Sequence, residues 1–215
     1  MSLGYRIAGY EFSATEVRDL LVAWLALGVA FAIFFAGGGP NIATLIFVPQ
    51  LLIVSLLTAG VAFLLHEVAH KVVAVRYGQL AEFRADYSML VLAIMSAMIG
   101  FIFAAPGAVH HRGYLNAKEH GHIAIAGPVT NLLLAAVFLP LYIGGTALGV
   151  EVLGTLGRFG IVINLFLAAF NLVPYGPLDG KTVKRWSTPV WLGAFLLSAL
   201  LTVGAMLTLG LSFRI

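Results

Sequence analysis

Five apolar stretches, divided by short polar loops, leave this chain of 215 residues few folds to choose from. They run from Leu20 to Ala36, from a start between Ala43 and Pro49 to about Tyr77, and from Ile123 to Ile143. A fourth starts between Glu151 and Phe159 and runs to Phe170, and a fifth runs from Val190 to about Leu211. A helix of about 20 apolar residues crosses a bilayer. The chain is 61% hydrophobic and 10% charged, with a mean hydropathy of +1.02, whereas a soluble domain has about a quarter of its residues charged. The expected fold is an all-α polytopic membrane protein with five to six transmembrane helices. Residues 1–215 then form a single membrane-embedded domain, with no length left for a separate soluble one. Lys and Arg lie in the loops, where they set orientation, and they do not suggest nucleic acid. No cysteine occurs, so any metal must rest on His and carboxylate.

The punctuation is clear. Ser13-Ala14-Thr15-Glu16 reads as a capping box that opens the first helix. Residues 1–12 are mixed in character and placed at the interface, and the charges before Leu20 argue against a cleavable signal peptide. Gly37-Gly38-Gly39-Pro40, Tyr77-Gly78 and Gly144-Gly145 end successive spans. The segment Leu172 to Gly180 holds two prolines and two glycines and cannot continue as regular helix.

Near the end of the second run stands His66-Glu67-Val68-Ala69-His70. On a helix the two imidazoles lie one turn apart on one face, as two ligands of one metal must. Glu67 lies about 100° around from His66, beside such a metal, where it can take a proton from water. Titratable groups at this depth are expensive in lipid unless they have partners and a task. The plainer reading is a chance motif whose histidines hydrogen-bond to neighbouring helices. A catalytic zinc site usually has three protein ligands. Asp179 follows an apolar span through the broken segment and can turn inward, although an aspartate before Gly180 is also a common turn pairing. His110, His111, His120 and His122 could be ligands too, but a solvated loop explains them better.

Three motifs together resemble the site-2 protease family of intramembrane zinc metalloproteases. They are H-E-V-A-H at 66–70, N-x-x-P-x-x-x-L-D-G at 171–180 and A-G-P-x-x-N at 126–131. The likeness covers about residues 50–185 and is to the small forms without PDZ or CBS domains. It implies one Zn2+ per chain held by His66, His70 and Asp179, with Glu67 as the catalytic glutamate. Asn171 matches the asparagine that holds the substrate backbone near the scissile bond. An amide there could stabilise an oxyanion. For Asn164 interhelical hydrogen bonding is the better reading, and for Asn131 both stay open.

The expected function is hydrolysis of peptide bonds in transmembrane segments of other membrane proteins. The partners are a transmembrane substrate and the lipid bilayer, with no nucleic acid and the oligomeric state open. A metal or ion transporter using the same His/Asp site is the alternative. A non-catalytic adaptor fits poorly with intact His66, Glu67, His70 and Asp179. Residues 88–109 are expected to dip into the membrane and return, as helix or short strands, with 101–109 as a candidate edge for an extended substrate. One zinc shared by His66, His70 and Asp179 needs the second and fourth spans to end on the same side. With the N-terminus cytoplasmic in a multi-pass cell-membrane protein, Arg6, Arg18, Lys71, Arg76, Arg84, Arg112, Lys118, Lys181, Lys184 and Arg185 all fall inside.

Overall fold

Each apolar run becomes a helix. The computed structural model describes residues 4–41, 49–103 and 106–209. Five of its helices are long and apolar enough to cross a membrane: α1 (Ala14–Phe35), α2 (Pro49–Arg76), α4 (Ala117–Ala147), α5 (Glu151–Asn171) and α7 (Thr188–Leu209). Two shorter helices, α3 (Tyr87–Met98) and α6 (Asp179–Trp186), lie between them. The expected starts of the second span before Pro49, and the last two residues of the fifth, lie outside the described residues. The contacts divide the chain into two units, residues 1–113 and 114–215.

In the first unit, a hairpin of β1 (Gly4–Ile7) and β2 (Tyr10–Ser13) precedes α1. Its two-residue turn places Ala8 at φ 51° and Gly9 at φ 88°, the positive φ pair that a tight antiparallel hairpin needs. Ser13 caps α1 by accepting the Glu16 N–H at 3.1 Å. The Glu16 carboxylate does not complete a capping box. It accepts from Lys71 Nζ and from the Phe83 N–H instead.

Helix α2 carries a π-helical turn, Leu56–Gly60, ahead of the His-Glu-His motif. A π turn inserts an extra residue and loosens one carbonyl. Here Trp24 Nε1 of α1 donates to Leu56 O at 3.0 Å. A Cβ on Gly60 would lie 2.7 Å from the Trp24 ring, and one on Gly28 2.3 Å from the Leu56 side chain. These two glycines let α1 and α2 approach closely.

After α2 the chain forms β3 (Leu80–Ala85), descends as α3, and returns as β4 (Gly107–Arg112). The two strands pair antiparallel, from Leu80↔Arg112 to Ala85↔Gly107. Helix α3 runs beside α1: Leu90 packs with Leu20 and Ala23, and Ala93 and Ala97 pack with Leu27, Ala30 and Ile33. The Asp86 N–H donates to Pro106 O at 3.0 Å, so the two ends of the excursion meet. At its far end Ser96 serves the irregular backbone. Its carbonyl accepts the Phe101 N–H and its Oγ accepts the Phe103 N–H, both at 3.0 Å. Non-helical backbone in a membrane protein is best satisfied within the protein, and Ser96 does this for Phe101 and Phe103. The segment therefore leaves β3 as helix and comes back to pair with it, the path a re-entrant 88–109 would need. Its edge is displaced from the expected 101–109, because the backbone of Leu80–Ala85 pairs with Gly107–Arg112 and so carries the strand through His110, His111 and Arg112. Single cysteines at Arg76 and Arg112 in this cysteine-free chain should react alike with an impermeant thiol reagent. We expect both to stay unlabelled in intact cells and to label once the cells are opened. Labelling of position 112 alone in intact cells would remove the re-entrant path.

In the second unit α4 and α5 form an antiparallel pair. A Cβ on Gly157 would lie 2.2 Å from the Tyr142 backbone, and one on Gly160 2.1 Å from the Phe138 ring. Beside this seam Asn131 Nδ2 donates to Asn164 Oδ1 at 3.0 Å, and Asn164 Nδ2 donates to Gly160 O at 2.8 Å. Both side chains are fully buried. Interhelical bonding is thus what Asn164 does, and Asn131 shares it.

Candidate metal centre

Regular helix in the last part of α2 brings the motif together. The His66 and His70 rings meet edge-on at 4.6 Å between centroids and 82° between planes. One donor atom from each of His66, Glu67 and His70 lies within 4.8 Å of the other two. The three residues are 4%, 7% and 8% exposed. Among the described residues this is the one such group of metal-capable side chains.

The rest of α2 explains its setting. Leu64 and Val68 join the cluster of Phe12, Leu20, Phe83 and Leu90, and Phe63 meets the Phe83 ring edge-on at 5.9 Å. At about 100° per residue, the face carrying Leu64, Val68 and Lys71 lies roughly 150° around the helix from the histidines, with Glu67 between. Two imidazoles and a carboxylate without thiolate suit a borderline ion that accepts nitrogen and oxygen, and zinc is such an ion. A water or metal held there would meet the carboxylate that the motif reading assigned to proton transfer.

In the second unit, Asn171 is the last residue of α5 and Asp179 the first of α6. Asn171 Nδ2 donates to Leu167 O at 3.0 Å. The chain between them is irregular, as its prolines and glycines require. Leu172 is fully buried, and its carbonyl accepts from Trp191 Nε1 of α7 at 2.8 Å. A Cβ on Gly180 would lie 2.0 Å from that same carbonyl oxygen. Gly180 therefore packs backbone to backbone with Leu172 and closes the loop. Asn171 and Asp179, each next to one member of that contact, stand at the two mouths of one closed loop.

The remaining histidines are placed differently from the expected polar loop. His110 and His111 are on β4, while His120 and His122 lie in the first turns of α4. That helix starts earlier than expected because Asn116 and Glu119 form a full capping box. The His122 ring meets Trp186 edge-on at 4.7 Å. None of the four belongs to the His66–Glu67–His70 group. Sequence reasoning missed three residues that hold these elements: Glu16 and Lys71 in the first unit and Trp191 in the second. Charge inside or beside an apolar run was the available signal for the first two. Trp191 had none.

No protein-family model matches the chain, and no solved structure does. Curated relatives do. The chain is 40% identical over 184 residues to "Putative zinc metalloprotease MJ0611" of Methanocaldococcus jannaschii, a match covering 85% of this chain and 90% of that protein. It is 33% identical over 145 residues to "Putative zinc metalloprotease YwhC" of Bacillus subtilis, covering 59% and 65% of the two. It is 34% identical over 127 residues to "Putative zinc metalloprotease Rip3" of Mycobacterium tuberculosis, covering 58% of this chain and 28% of that protein.

Proposed function

Because the chain belongs to the zinc metalloprotease family of these relatives, we propose that it is an intramembrane protease of the site-2 type, cutting transmembrane segments of other membrane proteins. The observation that carries this is the buried His66–Glu67–His70 group inside a helix long and apolar enough to cross a membrane. His66 and His70 would hold one zinc ion. Asp179 is assigned as the third ligand on its motif. When bound, zinc supplies a Lewis acid that polarises a carbonyl and acidifies water. Glu67 takes a proton from the attacking water and returns it to the leaving amine. Its burial at 7% exposure keeps competing solvent from the carboxylate.

Asn171 is assigned to the substrate carbonyl. One hydrogen of its amide goes to Leu167 O, and a side-chain amide has two to give. Asn171→Ala should keep zinc and fold and lose about 100-fold in turnover, as for removal of an oxyanion donor. Turnover equal to wild type with zinc retained would return Asn171 to a helix-ending role.

A peptide bond within a helix is protected, so the substrate must be locally extended. The Phe83 and Ala85 amides of β3 are taken by Glu16 and Asp19. The register then turns the backbone groups of Gly107, Val109 and His111 outward on β4. That is the rim an extended substrate would join. The N-terminus is placed in the cytoplasm on the distribution of Lys and Arg. The direct test is purified protein in detergent with a generic transmembrane substrate. Cleavage should stop with a zinc chelator and resume with added zinc, and cleavage indifferent to the chelator would overturn the proposal.

A further inference from the structure

We propose that the buried Lys71–Glu16 pair is the positioning device of the metal helix, fixing the rotation and height of α2 so that His66, Glu67 and His70 converge. This rests on the protease reading of those three residues. Lys71 follows His70 directly, and it lies four residues after Glu67. Its Nζ donates to Glu16 Oε2 at 2.5 Å and to Glu11 O at 2.6 Å, and it stands 3.9 Å from the centre of the Phe12 ring. The Lys71 and Glu16 side chains are 3% and 1% exposed. The other oxygen of Glu16 accepts the Phe83 N–H at 3.0 Å. One carboxylate thus ties α2 to α1 and to β3, and one ammonium ties α2 to β2.

Position, more than stability, is what such a pair can contribute. Burying two charges costs several kcal/mol per ion, so a buried ion pair is weak evidence of stabilisation. The apolar contacts of Leu64 and Val68 press α2 against its neighbours, but burial of that kind has no direction. Hydrogen bonds to two acceptors on separate elements do. A turn of about 20° around the α2 axis would carry atoms 5–6 Å from that axis through about 2 Å. Displacements of about 1 Å at reacting groups cost about 100-fold in rate. Lys71 and Glu16 touch no reacting atom in this scheme and act only through α2.

The test separates position from folding. Lys71→Met alone leaves Glu16 buried without its cation and can unfold the chain. The double variant Glu16→Gln with Lys71→Met removes both charges, keeps an acceptor for Phe83 and preserves side-chain length. We expect it to melt with the wild type, to release zinc to a chelator about 10-fold faster, as for loss of outer-sphere support, and to show kcat about 100-fold lower at unchanged KM. Glu16→Gln alone is the milder variant and should speed zinc release several-fold if the double variant does not fold. Wild-type zinc release and kcat in either folded variant would overturn the inference. Should the wild-type chain hold zinc and cut no transmembrane substrate, the protease reading fails. The zinc release rates would still decide this inference.

Discussion

Glu67→Gln should leave zinc bound and reduce turnover by roughly 1,000-fold, within the 10²–10⁴ range of a positioned general base. The substitution is nearly isosteric, so the α2 helix and the edge-on contact of the His66 and His70 rings at 4.6 Å should persist. What is lost is a group able to accept the proton of water and return it to the amine. Zinc content and turnover of the purified variant check both halves. The same variant separates hydrolysis from transport, because moving an ion needs no general base. A Glu67→Gln protein that retains wild-type cleavage would remove Glu67 from the chemistry. One that carries metal across vesicles at the wild-type rate would favour a transporter.

Asp179→Ala should lose its zinc on dialysis and its activity with it. If Asp179 is the third ligand proposed above, its removal should weaken metal binding by more than the ~10–100-fold that outer-sphere partners command. Asp179 opens α6 where Gly180 presses on the Leu172 carbonyl, so alanine at 179 fits the helix and leaves the loop closure intact. Loss of metal then reports the carboxylate and not the fold. Metal analysis showing full occupancy would exclude Asp179 as a ligand and direct attention to a histidine outside α2.

Much of this was legible in the sequence because a few physical rules act locally. Hydropathy alone placed the spans, since a bilayer accepts only long apolar helices from such runs. The spacing of His66 and His70 placed two rings on one face, since helical geometry is fixed by the backbone. Pro174, Gly176, Pro177 and Gly180 announced the break that sets Asp179 at a helix start. What escaped was pairing between distant segments. Strands of four residues such as β1 and β2 carry no readable period, and only the positive φ at Ala8 and Gly9 reveals their turn. His110 and His111 looked like loop residues because their order comes from β3, across an excursion of about twenty residues. Lys71 was counted among the charges that orient the protein, yet it is buried. Its destination is Glu16, 55 residues earlier, and no local pattern joins the two.

The carboxylates of Glu16 and Asp19, which take the Phe83 and Ala85 amides, set the valence of the β3–β4 ribbon. A ribbon able to recruit a strand on both flanks can hand the interaction from copy to copy and grow without limit. This one is terminated on its β3 flank by side chains that are covalently part of the same protein. A strand arriving from outside would find the Phe83 and Ala85 amides already occupied on that flank, which leaves β4 as the flank with backbone groups to offer.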